Sequence, residues 1–323
     1  MTTGKIVVLG TGGTIAGKAG SAGDNIGYVA GQVGVRELLD AVPGLAQAAQ
    51  GPLLVEQVAQ IDSKNMDFAV WAALARRCRA YLEDDGVRAI VVTHGTDTLE
   101  ETAWLLHSVL DAHKPVVLTC AMRPATAIAP DGPQNLLDAL AVANAPGAHG
   151  VLSVCAGAVH GARQVQKVHP YRVNAFSSGE DGPLGWVEEG RVRLAQNWSQ
   201  AQAGWAQRAL ENSAFDGDWP RVEIVMNYVG ASGSTVDALV RDGVRGLVVA
   251  ATGNATLHHA LQAGLERAQQ AGLAVRLTTR CPLGRVLALP GSGTALPLAP
   301  GLVPVKARVS LMLELLGVQA PAP

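Results

Sequence analysis

The sequence predicts an α/β protein with a larger N-terminal domain, built on a mostly parallel sheet with helices on both faces, and a smaller C-terminal α/β domain. Short runs of β-branched and aliphatic residues alternate with longer amphipathic stretches, which is the pattern of successive β-α-β units. The chain has 323 residues, 48% hydrophobic content and 37 glycines. This length exceeds that of one usual compact domain. A stretch rich in Gln, Trp and Ala interrupts the alternation between residues 191 and 220.

We therefore expect an N-terminal catalytic domain at residues 1–190, a linker at 191–220 and a C-terminal domain at 221–323. The N-terminal domain is predicted to contain three strand and helix pairs and one further strand: 6–9 with 35–42, 89–93 with 99–110, 116–121 with 133–143, and then 151–155. In the C-terminal domain the pattern predicts strands at 222–227, 247–251 and 274–279, and helices at 235–241, 256–271 and 305–316.

Charge and composition favour a small-molecule partner. The 25 Lys and Arg against 27 Asp and Glu give a net charge of −2, so no basic surface for nucleic acid or anionic membrane is expected. The first strand begins near residue 6, which leaves no room for a signal peptide, and no apolar run reaches the ~18 residues of a membrane span. We expect a soluble cytoplasmic protein. Its four cysteines lack a Cys-x-x-Cys pair, so we predict core thiols and no metal site.

The segment T-G-G-T-I at residues 11–15 ends the first predicted strand. A dinucleotide fingerprint fails because Ile15 stands where its third glycine is required. A phosphate loop fits better through the G-x-x-x-x-G-K of residues 12–18, but Ala19 replaces the Ser or Thr that binds magnesium, and a glycine-rich loop follows instead of a helix. What remains is an exposed Thr14 hydroxyl beside a mobile lid that carries Tyr28. Alternatively, Thr14 caps the turn and Tyr28 packs as an ordinary aromatic.

A second threonine segment, H-G-T-D-T at residues 94–98, follows the predicted strand 89–93. Thr98 and Glu101 form a capping-box pattern for the next helix, which places Thr96 and Asp97 in the strand-to-helix turn. Backbone N–H groups at such a turn favour an oxyanion or a carboxylate, although Asp97 could simply cap the helix. Lys167 is a candidate base if desolvation lowers its pKa, and is otherwise a solvated charge.

These residues resemble the bacterial L-asparaginase and glutaminase-asparaginase family of homotetrameric amidohydrolases. The resemblance extends over nearly the whole chain. It rests on the two threonine segments and on further matching motifs: Tyr28 in Y-V-A-G-Q-V-G-V at 28–35, Ser63 in D-S-K-N-M at 62–66, A-M-R-P at 121–124, D-G-P at 131–133, Lys167 after G-A-R at 161–163, the glycine turn at 182–185, Gly253 with Asn254, and K-A-R at 306–308.

The resemblance implies that Thr14, assisted by Tyr28, attacks a side-chain amide, forms an acyl-enzyme and releases ammonia. It also implies that Thr96, Asp97 and Lys167 form a second triad, which activates the hydroxyl or the water and holds the substrate. Ser63 would bind the α-carboxylate and Asp97 the α-ammonium, while backbone N–H groups near Gly13 and Thr96 would stabilise the oxyanion. Which threonine attacks first stays open. No metal or organic cofactor is implied, and the expected assembly is a homotetramer built as a dimer of dimers.

Two departures from the family pattern concern the substrate amine. Lys64 stands where periplasmic-type members carry Gln, so it either strengthens carboxylate binding or points to solvent. Thr256 aligns with an Asn that other members supply from a neighbouring subunit, and the loop around residues 286–289 offers no carboxylate for the accompanying Glu.

We therefore expect an asparaginase that prefers L-asparagine, with weak activity on L-glutamine and modest affinity. Three alternatives remain: an amidase for N-substituted or peptide-linked Asn or Gln, the glutaminase subunit of a tRNA amidotransferase, and a non-catalytic amino-acid-binding homologue.

Overall fold

The computed structural model describes residues 4–198, 203–287, 296–299 and 301–317. The chain divides into two compact units, the first of which runs to Leu210 while the second begins at Glu211. Each unit has an α/β fold, as the alternating sequence pattern predicts.

The first unit is built on one large sheet and one small one. Its strands, in chain order, are β1 Lys5–Gly12, β2 Leu53–Ile61, β3 Val87–Thr93, β4 Pro115–Thr119, β5 Gly150–Cys155, β6 Ala158–Gly161, β7 Gln166–Lys167, β8 Phe176–Ser177, β9 Gly185–Glu188 and β10 Arg191–Leu194. The large sheet has the order β10-β9-β6-β5-β4-β3-β1-β2, and β7 pairs with β8 separately. Strands β1 to β5 pair in parallel, so their carboxyl ends lie along one edge of the sheet.

Helices cover both faces of this sheet. They are α1 Val35–Asp40, α2 Leu45–Ala49, α3 Phe68–Glu83, α4 Leu99–Val109 and α5 Gly132–Ala143. Successive side chains of a strand point to opposite faces. Accordingly, Ile6 and Val8 of β1 are fully buried in a cluster with residues of α1, α2 and α5, and α3 and α4 contact strands of the same sheet without belonging to that cluster.

The second unit is a three-stranded parallel sheet with three helices. Its elements are β11 Val222–Met226, α6 Ser234–Arg241, β12 Gly246–Ala251, α7 His259–Gln270, β13 Ala274–Thr279 and α8 Pro304–Leu315. The strand order is β11-β12-β13. Val249, Leu265 and Leu277 are fully buried in a core that belongs to this unit, as expected for a domain with its own hydrophobic centre.

Part of the predicted linker is structured. Residues 191–194 form β10, which pairs with β9 through its backbone, so the first sheet extends beyond the expected boundary at residue 190. The side chains of β10 are largely exposed. The strand therefore lacks the alternation of apolar and polar residues from which a strand is predicted. Further along, residues 207–211 and 213–216 form two short 3-10 helices.

The cysteines follow the prediction only in part. Cys78, Cys120 and Cys155 are buried free thiols, whereas Cys281 is exposed. The expectation of four core thiols was wrong at Cys281 because this residue lies beyond the end of β13, in a loop. Within the described ranges, every helix is too short or too polar to cross a bilayer.

Candidate active site

Thr14 lies in a tight turn at the carboxyl end of β1. Gly12 and Gly13 have φ values of 100° and 83°, which glycine adopts without the steric cost of a Cβ atom. The chain then makes one 3-10 turn at Thr14–Ala16 and continues as a loop until α1. This arrangement lacks the immediate helix of a phosphate loop. It leaves the Thr14 side chain buried, with 6% of its surface exposed.

Tyr28 reaches this hydroxyl from the loop at residues 17–31, which we call the flap. Thr14 Oγ1 and Tyr28 Oη lie 2.6 Å apart, and either can donate the hydrogen bond. The flap folds back on itself through a backbone bridge between Lys18 and Val29. It is also fastened to residues 125–128 by three hydrogen bonds: from Ala125 N–H to Gly17 O, from Ala19 N–H to Thr126 Oγ1, and from Ile128 N–H to Ala22 O.

A second polar group forms at the end of β3. The Lys167 ammonium donates to Thr96 Oγ1 at 2.8 Å and to Asp97 Oδ1 at 2.7 Å, and Thr96 Oγ1 lies 3.4 Å from the same carboxylate oxygen. Thr96 is buried, the Lys167 side chain is 17% exposed, and that of Asp97 is 50% exposed. Lys167 is held in place through β7 and through its backbone N–H, which donates to Glu100 of α4.

Close contact between two glycines brings the threonine turns together. Strands β1 and β3 are neighbours, with Gly10 opposite Thr93. A Cβ atom on Gly13 would lie 2.3 Å from the Cα atom of Gly95, so only a pair of residues without side chains can pack this closely. Because Thr14 and Thr96 each follow one of these glycines, both hydroxyls belong to the same strand-end region.

Ser63 is the third segment of the site and is 3% exposed. Its hydroxyl oxygen accepts from the backbone N–H of Asp97 at 3.2 Å, and its carbonyl accepts from Thr98 Oγ1 at 2.9 Å. The predicted capping box was therefore wrong. Thr98 is the N-cap residue of α4 but makes no side-chain cap hydrogen bond, because its hydroxyl instead fixes the Ser63 turn against the Asp97 turn.

Several backbone N–H groups in the turns have no acceptor among the described residues, and those of Thr14 and Thr96 are two of them. The N–H of Gly13, by contrast, donates to Ile61 O at 2.8 Å. Sequence reasoning placed an oxyanion donor near Gly13. The N–H of Thr14, the next residue, has no such acceptor and is one of the donors of this turn that remain available.

Lys64 points away from the buried part of the site. Its side chain is 65% exposed and its ammonium pairs with Asp62 Oδ2 at 3.0 Å. The pKa of Lys64 is raised, chiefly by its hydrogen bond and attraction to Asp62 and to a smaller extent by Asp97 and Tyr28. Of the two sequence-based alternatives, the side chain adopts the solvent-facing one, anchored by a carboxylate that the sequence did not single out.

His94 stabilises the second threonine turn through a hydrogen bond to its backbone. It is completely buried, and its Nδ1 lies 2.7 Å from Gly95 O. Since a carbonyl only accepts, Nδ1 carries the proton. Burial lowers the His94 pKa to about 4. The ring is therefore a neutral structural group rather than the base of a triad.

In the second unit, Thr256 is engaged within its own turn. Its hydroxyl donates to Thr252 O, and Thr252 Oγ1 donates to Thr256 O. The sequence-based expectation for the loop concerned residues 286–289, of which 288 and 289 lie outside the described residues. No cluster of three or more His, Cys, Asp or Glu side chains able to hold a metal occurs among the residues that the structure describes.

Comparisons with known proteins place the whole chain in one group. Residues 5–200 match the family model for the asparaginase N-terminal domain, and residues 221–319 match that for the glutaminase/asparaginase C-terminal domain. The chain is 37% identical to L-asparaginase 2 of Bacillus subtilis over 96% of its own length and 82% of that protein. It is 35% identical to the glutaminase-asparaginase of Pseudomonas fluorescens over 96% of its length and 86% of that protein.

A solved structure, the probable cytoplasmic L-asparaginase from Campylobacter jejuni, superimposes with a TM-score of 0.88 at 37% identity, covering 97% of this chain and 95% of that one. Both family models and the similarity to these relatives show that the chain belongs to the asparaginase family.

Proposed function

We propose that this protein hydrolyses L-asparagine to L-aspartate and ammonia through a threonine nucleophile and an acyl-enzyme. One observation carries the proposal. Two buried threonine hydroxyls lie at neighbouring strand ends, and each is hydrogen-bonded to a side chain that can exchange a proton: Tyr28 for Thr14 and Lys167 for Thr96. The names of the relatives support asparagine as the substrate class.

In the proposed first half-reaction, Thr14 Oγ1 attacks the side-chain amide carbon while its proton passes to Tyr28 Oη and the phenolic proton of Tyr28 passes on to the amide nitrogen. The N–H groups of Thr14 and Thr96 stabilise the oxyanion of the tetrahedral intermediate, as donors fixed before the reaction do. Collapse of the intermediate breaks the C–N bond, and the amide nitrogen leaves as ammonia after it takes up the proton. The product of this step is an ester between Thr14 and the aspartyl side chain.

In the second half-reaction water attacks the ester and restores the Thr14 hydroxyl. Thr96, Asp97 and Lys167 are proposed to activate this water and to hold the substrate. A deprotonated Lys167 amine can take a proton from Thr96 or from water, and Asp97 stabilises the ammonium that results. Thr96, like Thr14, has a hydrogen-bonded partner that can take its proton. Trapping the acyl-enzyme and locating its ester bond therefore identifies which hydroxyl attacks first.

The α-amino and α-carboxyl groups of the substrate are assigned to the same turns. Ser63, held by Asp97 N–H and Thr98, is proposed to bind the α-carboxylate. Asp97 uses Oδ1 for Lys167, which leaves the second oxygen of this half-exposed side chain for the α-ammonium. Lys64 is already paired with Asp62 and supplies at most a weak attraction for the carboxylate.

We further propose modest affinity and weak activity on L-glutamine. Thr256 uses its hydroxyl inside its own turn, so it is a poor substitute for the amide that other family members place near the α-ammonium. Loss of one hydrogen bond to a charged group typically costs about 2–3 kcal/mol of binding free energy. We also propose a homotetramer and a cytoplasmic location. The description of the Campylobacter protein as cytoplasmic supports the location.

The decisive experiment measures steady-state ammonia release from L-asparagine and L-glutamine by the wild type, Thr14→Ala and Thr96→Val. Saturable release from asparagine, with a smaller kcat/KM for glutamine, is the expected result. Rapid acid quenching and peptide mass spectrometry should then find an added aspartyl group on Thr14. An aspartyl group on Thr96 would reverse the order of attack. No release from either amino acid would overturn the proposal and direct the search to N-substituted amides.

A further inference from the structure

A cavity lies in the first unit, apart from the threonine turns. Its volume is about 1060 Å³, which is the size of a small-molecule site. Its walls come from α5, from α2 and the residues beside it, and from the β9–β10 hairpin. None of the residues proposed above for catalysis or substrate binding lines this cavity.

The wall of the cavity contains a buried carboxylate, that of Asp138 on α5. Only 4% of its surface is exposed. One oxygen accepts from Gln134 Nε2 at 2.8 Å, one helical turn earlier. The other oxygen has no hydrogen-bond donor, and the carboxylate has no cationic partner, among the residues that the structure describes.

A neighbouring acid in the same wall shows what a satisfied carboxylate looks like here. Asp131 accepts from the backbone N–H groups of Met122 and Arg123, each at 2.9 Å, and from Asn135 Nδ2 at 3.3 Å. Three donors thus balance the charge of Asp131, whereas a single neutral amide faces Asp138.

An isolated buried carboxylate is costly, because removal from water is repaid only by a cation or by several donors. Burial accordingly raises the pKa of Asp138, and the Gln134 hydrogen bond opposes this only in part. The other charged side chains that line the cavity do not neutralise Asp138. Glu189 and Arg191, on the β9–β10 hairpin, are both exposed and of opposite sign, so Asp138 supplies the uncompensated charge.

We propose that this cavity binds a small molecule carrying a primary ammonium group, which pairs with the free oxygen of Asp138. An ammonium is compact and offers three N–H donors. It can therefore bond to the carboxylate and still reach other acceptors in the wall. The inference concerns a site separate from the proposed catalytic turns and does not depend on the reaction assigned to them.

Isothermal titration of the full-length protein tests the proposal. The probes are putrescine and L-lysine, with 1,4-butanediol as the uncharged analogue of putrescine. The wild type is compared with Asp138→Asn, which keeps the side-chain shape, and with Glu189→Gln as the matched loss of a carboxylate at the rim. We expect saturable binding of at least one amine to the wild type and to Glu189→Gln, no binding of the diol, and affinity at least about tenfold weaker for Asp138→Asn.

Three results would overturn the proposal: equal amine binding by Asp138→Asn, no binding by the wild type at about 10 mM amine, or a change of oligomeric mass in Asp138→Asn by light scattering. The last result would mean that a second copy of the chain supplies the cation. If Asp138→Asn fails to fold, Asp138→Ser takes its place in the same comparison. Ammonia release from asparagine by these variants is read separately, so failure of the proposed reaction would leave the binding result interpretable.

Discussion

Lys167 shows how one side chain organises the chemistry of a site. Its ammonium bonds to Thr96 and Asp97, which are neighbours in sequence on a turn that follows a different strand. Sequence alone favoured a solvated surface charge for this lysine, because nothing in its local run indicates a partner 70 residues away. The contact arises from the pairing of β7 with β8 and from the tether to Glu100, neither of which has a strong local signal.

Lys167→Met should lower kcat/KM for asparagine by at least about 10²-fold, since the variant loses the proton-exchanging group beside Thr96 and leaves Asp97 without its cation. Lys5→Met is the matched control, because Lys5 pairs with Asp84 on the surface at the opposite end of β1. Ammonia release over a range of substrate concentrations gives both constants. Near wild-type activity of Lys167→Met would remove Lys167 from the proposed mechanism.

His94 is predicted to make the protein sensitive to mild acid. Its pKa is about 4 in the folded state because of burial, against about 6.5 in an unfolded chain. Between these two values the unfolded state binds the proton more readily, so native stability falls as the pH decreases through this window and the loss is complete below the lower value. For His94 alone the loss between about pH 7 and pH 5 is roughly 2 kcal/mol.

The test is urea unfolding of the wild type and of His94→Asn, which keeps a donor for Gly95 O but does not titrate. The stability gap between the two proteins should narrow by roughly this amount as the pH falls from about 7 to 5. A gap that stays constant across that range would show that His94 is not held neutral by the fold.

At the scale of elements, glycines decide whether the strand ends can meet. Gly13 has a positive φ and packs against the backbone of Gly95. A Cβ atom on Gly95 would in turn lie 2.4 Å from Ser63 Oγ. Three turns therefore meet at Gly13 and Gly95, where the packing leaves no room for a further side chain. These turns supply the proposed nucleophile, the second threonine and the carboxylate-binding serine.

Gly13→Ala is predicted to cost several kcal/mol of stability and to reduce activity severely, since the methyl group meets backbone atoms that cannot rotate away. Gly20→Ala in the flap is the control, because no atom lies within 4 Å of the position its Cβ would take. Thermal unfolding and ammonia release should separate the two variants clearly. If Gly13→Ala matched Gly20→Ala in both measurements, the close packing of the two turns would be refuted.

Strands with long buried aliphatic runs were predicted from the sequence, whereas helix α3 and the strands held mainly by backbone pairing were not. Strands β1, β3, β4 and β5 are buried along almost their whole length and were recognised from their aliphatic runs. Strand β2 lies at the edge of the sheet and is only partly buried, and its run of apolar residues is interrupted by Glu56, Gln57 and Gln60. The threonine turns were located from their motifs, whereas the role of Thr98 was misassigned because its acceptor, Ser63 O, is distant in sequence.

At the scale of the whole molecule, the second unit has a sheet edge at β11. This strand is the first of the order β11-β12-β13, and β12 is its one neighbour among the residues that the structure describes. Ile224 and Met226 on this strand are 36% and 52% exposed, and Tyr228 and Val229 just after it are 54% and 100% exposed. Exposed apolar edge strands are normally covered or paired in proteins that stay soluble. The net charge of −2 offers little repulsion between copies.

We therefore predict that a second copy of the chain covers β11 in the proposed homotetramer. The double substitution of Met226 and Val229 by Lys should convert the tetramer to a smaller species, because each buried lysine would have to be desolvated without a partner. Val240→Lys places one such charge on α6, where the apolar side chain is 37% exposed, and should leave the mass unchanged. Multi-angle light scattering after gel filtration measures all three proteins. A wild type that runs as a monomer, or a double variant that remains a tetramer, would show that this edge faces solvent.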